Sequence, residues 1–436
     1  MTNSKEQEVD KNILKQMFIE HWEEFKKKYP RYKNVLYKTV INKILGCGDV
    51  ANGYSIYRCE NCGEPKYVSF SCKSSFCLSC AKVYVDNWVC HISKILFEGI
   101  YYRHIVLTVP ESLRGYFYKD QSLLSWLMKT GVDCLKDVMA RVLRREGIKS
   151  GFIVVLQTSG RSGSYNPHLH ILMTSGGLIE ENNKDKWVSL GFLPYEILHK
   201  KWQYYLFKMV KEKVKSKEAK REVDFLYNKY KKGLVAYIER GNIPKATKGL
   251  AIYLAKYVVS PPIAIRRIIS YDGEMVRYWY KDHKTGKREE DNIGVLEFIG
   301  RMVQHILPKG FQRIRYYGLH LSCTYQRVKD RLIKIIKTIG RGIKDAYQII
   351  IRKSYRERII ETIKRDPFVC PRCGNEMILW EIWHPKYGLV FDEFKNIKAG
   401  KYERYRPRDD RIRDKDNWDM GEPILQLWLP GLQLSN

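Results

Sequence analysis

Nowhere in the 436 residues do about eighteen apolar positions run together, and that absence excludes a membrane-spanning helix of the kind hydropathy detects. The opening MTNSKEQEVDKN is polar and has no apolar core of signal-peptide type, so a cytoplasmic location is expected. The Gly-x4-Gly-Lys-Ser/Thr loop that cradles nucleotide phosphates is missing, and with it any sign of ATP-driven chemistry. No internal repeat is found. Acidic residues are scarce: 48 Asp and Glu stand against 78 Lys and Arg, a net charge of +30. Such an excess makes an acidic polymer the first partner to consider, and nucleic acid leads. A membrane surface fits less well, because the basic residues run through the whole chain instead of flanking one apolar anchor.

What is present suffices for real cores. The chain is 44% hydrophobic and has room for about two to four domains. Its eleven cysteines, in a chain expected inside the cell, read as thiols and metal ligands rather than disulfides. Cys47, Cys59, Cys62, Cys72, Cys77 and Cys80 crowd one segment, Cys370 and Cys373 form a second pair, and Cys90, Cys134 and Cys323 are scattered.

Apolar spacing at Ile13, Met17, Phe18, Trp22 and Phe25, then at Val35, Val40, Ile41 and Ile44, predicts a helical start. VYVDNWVCHISKIL reads as a helix leaving the cysteine-rich segment, HIVLTVPES (104–112) as a strand, and residues 121–145 as a long amphipathic helix. GFIVVLQTSG (151–160) is a further strand. Residues 199–233 mix aromatic and basic side chains at helical spacing and predict a helix with one apolar and one cationic face. GLAIYLAKYVV (249–259) is a helix stopped by Pro261 and Pro262, and MVRYWYKDHKTGKREE a hairpin around Lys-Thr-Gly-Lys. The charged stretch 396–417 reads as a surface or flexible segment.

Three constellations carry chemistry. In SYNPHLHILMTSGG (164–177), strand alternation puts His168 and His170 on one face and Leu169 and Ile171 on the other. Two imidazoles so placed can reach one metal ion, or form a half-buried polar pair with no duty. Cys59-x-x-Cys62 and Cys77-x-x-Cys80, fourteen residues apart, have the spacing at which four thiolates surround one tetrahedral zinc. Gly63 suits the turn of the first knuckle, whereas Cys47 and Cys72 are surplus to one site: a second zinc, a substitute ligand or buried thiols. Cys370-Pro-Arg-Cys373 is a knuckle without an obvious mate. In AIYLAKYVV, Tyr253 and Tyr257 lie one helical turn apart with Lys256 supplying a cation near their hydroxyls. Tyrosines at that spacing serve a core or an interface more often than catalysis. Phenol, with a pKa of about 10, is a weak nucleophile and needs a metal or a cation beside it. Histidines, tyrosines and positive charge together suit in-line attack on a phosphodiester polarised by a divalent ion, with tyrosine taking the 5′ phosphate.

These residues resemble the HUH nucleases, named for His-hydrophobic-His, and within them the two-tyrosine rolling-circle transposases of bacterial insertion sequences, the insertion-sequence-ninety-one family. The resemblance covers most of the chain: SCKSSFCLSC, HIVLTVP, NPHLHILMT, YLAKY, FIGRMVQHILPKGFQRIRYYGLH (298–320) and the final CPRC. It implies an α+β fold in which an antiparallel sheet carries the histidines under covering helices. The domains expected are a helical segment 1–46, a zinc-binding domain 47–92, a nuclease domain 93–345 and a C-terminal region 346–436 carrying the last knuckle.

The resemblance makes His168 and His170 metal ligands for Mg²⁺ or Mn²⁺, and Tyr253 and Tyr257 the nucleophiles that cleave and rejoin DNA through a 5′-phosphotyrosine. Gln157, on the preceding strand, is the candidate third ligand, where related proteins often carry a histidine; a satisfied core glutamine is the alternative. Structural zinc is expected at the cysteines. Single-stranded and element-end DNA would be the partners, with aromatic rings stacking bases and cations following phosphates. Arg277, Tyr278, Trp279 and Lys281 in RYWYK, and Arg313, Arg315, Tyr316 and Tyr317 in RIRYYG, mix those residue types, as does KKWQYYLFK (200–208). Ordinary strand or helix packing explains such segments equally well. A nucleoid-associated monomer or dimer is expected. The alternatives are an HUH replication initiator or relaxase with the same chemistry, and a zinc-dependent DNA-binding protein that does not cut.

Overall fold

The computed structural model describes residues 12–338, apart from 75, 182–183, 239–246, 259–261 and 283–284, and residues 354–398, apart from 355, 359 and 361–365. Its contacts divide the chain into a larger unit, residues 1–56, 66–352 and 381–391, and a smaller one, residues 57–65, 353–380 and 392–436. The fold is α+β with antiparallel sheets, as the sequence leads one to expect.

Helix α1 (Ile13–Lys28) buries Leu14, Met17, Phe18, Trp22 and Phe25, a stripe at three- and four-residue intervals. Asn34 caps α2 (Val35–Leu45), its side chain accepting from the Tyr37 amide. Next come β1 (Tyr54–Cys59), β2 (Pro65–Ser69), α3 (Leu78–Ile95), β3 (Tyr102–Thr108), α4 (Glu111–Lys119) and α5 (Leu123–Leu143). Strands β4 (Gly151–Ser159), β5 (Tyr165–Thr174), β6 (Gly176–Glu181) and β7 (Lys184–Ser189) lead into α6 (Tyr195–Lys213) and α7 (Lys217–Lys229). The one helix expected over 199–233 is thus two. The hydroxyl of Ser216 accepts from the Ala219 amide at 3.1 Å and starts α7 afresh.

Strand β8 (Ala236–Ile238), helix α8 (Thr247–Val258), strands β9 (Ile268–Tyr271), β10 (Met275–Lys281) and β11 (Arg288–Gly294), helix α9 (Val295–Val303), strand β12 (Ile314–Gly318) and helix α10 (Ser322–Thr338) complete the larger run. Strands β13 (Met377–His384) and β14 (Gly388–Asp392) join the first two strands in a sheet of order β14-β13-β1-β2. The expected hairpin is β10–β11, closing with Lys281 opposite Arg288. Of the charged stretch 396–417, residues beyond 398 lie outside the described residues.

The central sheet has order β12-β4-β5-β3-β8, every neighbour antiparallel. Alternation gives it two faces. Ile105, Leu107, Val154, Leu156, Leu169 and Ile171 pack with α5 and α6 in the main core. Gly131 lets α5 approach closely: a Cβ there would lie 2.6 Å from Leu169 Cδ1. On the other face Ile153, Val155 and Leu172 meet Trp88 and Ile92 of α3 and Leu250, Ala251 and Leu254 of α8. A further core joins α1, α2 and α9 to the three-stranded sheet β11-β10-β9. Among the described residues no helix is long and apolar enough to cross a membrane.

Candidate active site

The face of the central sheet that meets α3 and α8 carries the polar residues of interest. In β5 the register places His170 opposite Val106 and Val155, and His168 opposite Thr108 and Gln157. His168, His170 and Gln157 therefore share a face, together with His104 of β3, which lies opposite Leu172. The sequence sets this up locally. Pairing of β4 with β5 shifts between Gln157 and Ser159, where Asn166 and Pro167 together face Thr158. Pro167 has no N–H to give to the ladder, so a bulge falls where the strand can tolerate one. The bulge turns the Asn166 carbonyl to accept at 2.7 Å from Nδ1 of His168. That bond puts the ring proton on Nδ1 and leaves Nε2 with the lone pair.

The remaining contacts form a chain. Nε2 of His170 stands 3.1 Å from Oε1 of Gln157, and Nδ1 of His170 stands 3.0 Å from Nε2 of His104. Nδ1 of His104 stands 2.8 Å from the hydroxyl of Tyr253. The rings of His104 and His170 stack at 5.2 Å between centroids, and His168 meets His170 edge-on at 5.0 Å. His104 is 1% exposed and His170 7%. Burial pushes the His170 imidazolium well below its ordinary range and lowers that of His168 too, so both rings are held neutral, as a metal ligand must be. The 3.1 Å between His170 Nε2 and Gln157 Oε1 matches the separation of about 3 Å between neighbouring ligands of an octahedral ion with bonds of about 2.1 Å.

Tyr253 reaches this chain because α8 lies on the sheet through Leu250, Ala251, Leu254 and Ala255. Tyr257 belongs to the same helix, but its side chain and that of Lys256 lie outside the described residues. His104 received no role in the sequence reading. The available signal was a lone polar ring opening an apolar strand, with nothing local to say which helix it would meet.

The cysteines pair differently from expectation. Cys47, Cys72, Cys77 and Cys80 bring their sulfurs within 4.8 Å of one another, with Cys47 Sγ 3.5 Å and Cys72 Sγ 3.7 Å from Cys80 Sγ. Cys47 and Cys72, surplus in the sequence, are thus full members. The Cys59–Cys62 knuckle gathers instead with Cys370 and Cys373. The single site of Cys59, Cys62, Cys77 and Cys80 is therefore corrected. The reason is geometric: Cys77 caps α3, so its knuckle is the first turn of a helix, while the end of α2 and the loop after β2 deliver Cys47 and Cys72. Hydrogen bonds from Cys72 and Cys77 hold the Cys47 thiol far below its usual range, and the same contacts push Cys72 and Cys77 up, as in a set that ionises together only around a cation. Helix α3 runs from this cluster onto α8, so the thiols anchor a wall of the histidine face.

The aromatic and basic segments are largely committed to packing. Tyr278 is 1% exposed, stacked edge-on against Phe298 with its hydroxyl donating to Asp291, so its ring cannot serve as a platform for a base. Arg277 pairs with Glu290 at 2.7 Å. Trp279 stands between Arg267 and Arg288, 5.6 and 5.0 Å from its ring, and the Lys281 side chain is exposed. In β12, Tyr316 packs with the α3 and α8 core and Tyr317 against the α5 side; Arg315 donates to Ser125 Oγ at 2.7 Å. Arg313 is desolvated at the start of that strand, which lowers its pKa.

Two family models match the chain. The transposase zinc-binding domain, Zn_Tnp_IS91, spans residues 17–109, and Y2_Tnp, described as "Putative transposase", spans residues 151–327. The chain belongs to the IS91 family of transposases. It is 26% identical to the transposase for insertion sequence element IS801 of Pseudomonas savastanoi pv. phaseolicola, over 78% of this chain and 82% of that one. It is also 26% identical to "Putative transposase y4qJ" of Sinorhizobium fredii, over 79% of this chain and 89% of the relative. No solved structure matches it significantly. The zinc-binding model takes in all of Cys47, Cys72, Cys77 and Cys80, and the second model takes in β5 and α8 of the transposase.

Proposed function

We propose that this transposase cuts and rejoins single-stranded DNA at element ends by direct attack of tyrosine, in the rolling-circle HUH manner. One observation carries the reading. The Tyr253 hydroxyl is hydrogen-bonded to His104, which is hydrogen-bonded to His170, so a phenol and the paired histidines share one buried network.

In the step proposed, the Tyr253 phenol gives its proton to water, its oxygen bonds to phosphorus, and the bond from phosphorus to the 3′ oxygen breaks as that oxygen takes a proton from water. That oxygen leaves as a hydroxyl, and the 5′ phosphate stays on the tyrosine. The phosphodiester energy is retained, so rejoining by the reverse path needs no nucleotide hydrolysis. A divalent ion, Mg²⁺ or Mn²⁺, held by His168, His170 and Gln157, would polarise the phosphate. Imidazole nitrogens favour Mn²⁺ of the two. With Nε2 of His170 so engaged, its proton would sit on Nδ1 and be donated to Nε2 of His104. His104 Nδ1–H would then be left to donate to the Tyr253 oxygen, the polarity that favours phenolate. Tyr257 would act in the second cleavage or transfer, with Lys256 adding a cation nearby.

The test uses the full chain, Mn²⁺ and single-stranded oligonucleotides carrying an authentic element end, with covalent adducts read on a denaturing gel. An adduct that Tyr253→Phe with Tyr257→Phe removes, without loss of DNA binding, is the expected result. An adduct that survives both changes places the nucleophile elsewhere. No adduct with any authentic end would make the protein a DNA binder that does not cut.

A further inference from the structure

The zinc-binding family model ends at residue 109 and leaves Cys370 and Cys373 unexplained. They lie in the smaller unit with Cys59, the last residue of β1, and Cys62 in the turn after it. Cys59 Sγ is 3.4 Å from Cys373 Sγ and Cys62 Sγ is 3.6 Å from Cys370 Sγ, across separations of 314 and 308 positions. These distances far exceed a disulfide bond of about 2.05 Å but suit edges of a tetrahedron with metal–sulfur bonds of about 2.3 Å.

The two knuckles have the same backbone construction. The Gly63 amide donates to the Cys59 carbonyl at 3.0 Å, and the Gly374 amide donates to the Cys370 carbonyl at 3.0 Å. The Cys59 amide donates to the Glu64 carbonyl at 3.0 Å, and the Cys370 amide to the Asn375 carbonyl at 2.8 Å. Gly63 and Gly374 sit at φ 74° and 75°, a conformation glycine adopts without strain. Cys-Glu-Asn-Cys-Gly and Cys-Pro-Arg-Cys-Gly are thus like halves, each turning the chain back on itself, the first at the end of β1 and the second within the Val369–Glu376 bridge. The Cys77 knuckle, followed by Ala81 and continuing as a helix, is of another kind.

We infer that Cys59, Cys62, Cys370 and Cys373 form a second structural zinc site, a ribbon assembled from opposite ends of the chain, whose metal the smaller unit needs to fold. Among the described residues of that unit the buried apolar side chains are few, Ile378 and Leu379 of β13 among them. Its buried cluster is Cys59, Cys370 and Met377, with Tyr57 and Cys62 packed alongside. The Tyr57–Phe368 ring contact at 4.8 Å and the Arg372–Glu64 pair at 3.9 Å add little, the latter being solvent-exposed. A metal that ties both knuckles together supplies what so small a core among the described residues lacks. The occupant is a thiophilic closed-shell cation, zinc first, because all four donors are sulfur.

The experiment counts zinc on the purified full chain by mass spectrometry and tests pairing with serine variants. The chain should carry two zinc ions. Cys59→Ser with Cys370→Ser should leave one, because both lie in the same site, and Cys59→Ser with Cys77→Ser should leave none. Cobalt in place of zinc should show tetrahedral thiolate bands that Cys370→Ser with Cys373→Ser roughly halves. A cut by protease within residues 366–380 should appear in that variant while the larger unit stays resistant. A single zinc in the unaltered chain overturns the inference, and so does loss of only one zinc from the Cys59 and Cys77 pair. These readouts need no DNA, so their failure is separate from failure of the proposed nuclease reaction.

Discussion

The ring of His104 stands 2.8 Å from the hydroxyl of Tyr253, although 149 positions separate the two residues. Strand β3 holds the imidazole and helix α8 holds the phenol, and the contact exists only because the helix lies across the sheet. If His104 orients the phenol and donates to its oxygen, His104→Ala should slow adduct formation by about 10²- to 10³-fold, the usual range for a lost active-site hydrogen-bond donor. Binding of single-stranded DNA should stay within about twofold of the parent. His104→Gln, which can still offer a hydrogen bond to the tyrosine, should recover part of the loss. Single-turnover gels and fluorescence anisotropy give the two measurements, and an unchanged rate in the alanine variant would remove His104 from the reaction.

His168→Ala and His170→Ala each take a nitrogen donor from the histidine face. Mn²⁺ affinity, followed by electron paramagnetic resonance, should weaken by at least about tenfold in either variant, and Mn²⁺-dependent cutting should be lost. Gln157→Ala should do less, because one amide oxygen binds more weakly than an imidazole nitrogen. Equal affinity across the parent and both histidine variants would place the ion elsewhere.

Gly318 ends β12 at φ 61°, and a Cβ there would come 1.9 Å from the Ser150 carbonyl oxygen. Gly318→Ala combines a left-handed backbone with a backbone clash and should cost at least about 2 kcal/mol of stability. A urea midpoint within error of the parent would contradict the close approach of β12 to the start of β4.

Acid should destabilise the protein before its carboxylates titrate. Burial pushes His305 down to about 4 and His320 to about 3. Their folded pKa lies below the unfolded value of about 6.5, so the unfolded chain takes up the proton first. The neutral rings therefore contribute fully above pH 6.5, and that stability is lost as pH falls towards 4 for His305 and 3 for His320. For His305 the loss is on the order of 3 kcal/mol over the whole window. Urea unfolding from pH 7.5 to 5 should show a falling midpoint, and His305→Gln a shallower slope. A flat profile would mean that these rings are charged or solvated in the fold.

Parts of the site were written locally. Alternation in NPHLHILMT places His168 and His170 together, and the β4–β5 pairing sets Gln157 opposite His168 as an antiparallel register requires. The break after α6 was also present in the sequence, since Ser216 precedes Lys-Glu-Ala, but continuing aromatic and basic spacing concealed it. Whether Tyr278 packs or stays open was not legible, because periodicity does not reveal which face of a hairpin is covered; α9 covers that one. The mate of the Cys370 knuckle had a signal too: the glycine after its second cysteine matches Gly63 and has no equal after Cys80.

The sequence by itself determined the local objects: knuckles whose glycines permit a tight turn, a strand that shows both imidazoles on one side, and a helix carrying tyrosines a turn apart. These follow from backbone sterics and side-chain period, which neighbouring residues decide. Only the tertiary structure decided which knuckle meets which, and that His104 stands between Tyr253 and His170. Those pairings join residues more than 60 to more than 300 positions apart. They are chosen by how whole sheets and helices bury their apolar faces, and no local spacing encodes that choice.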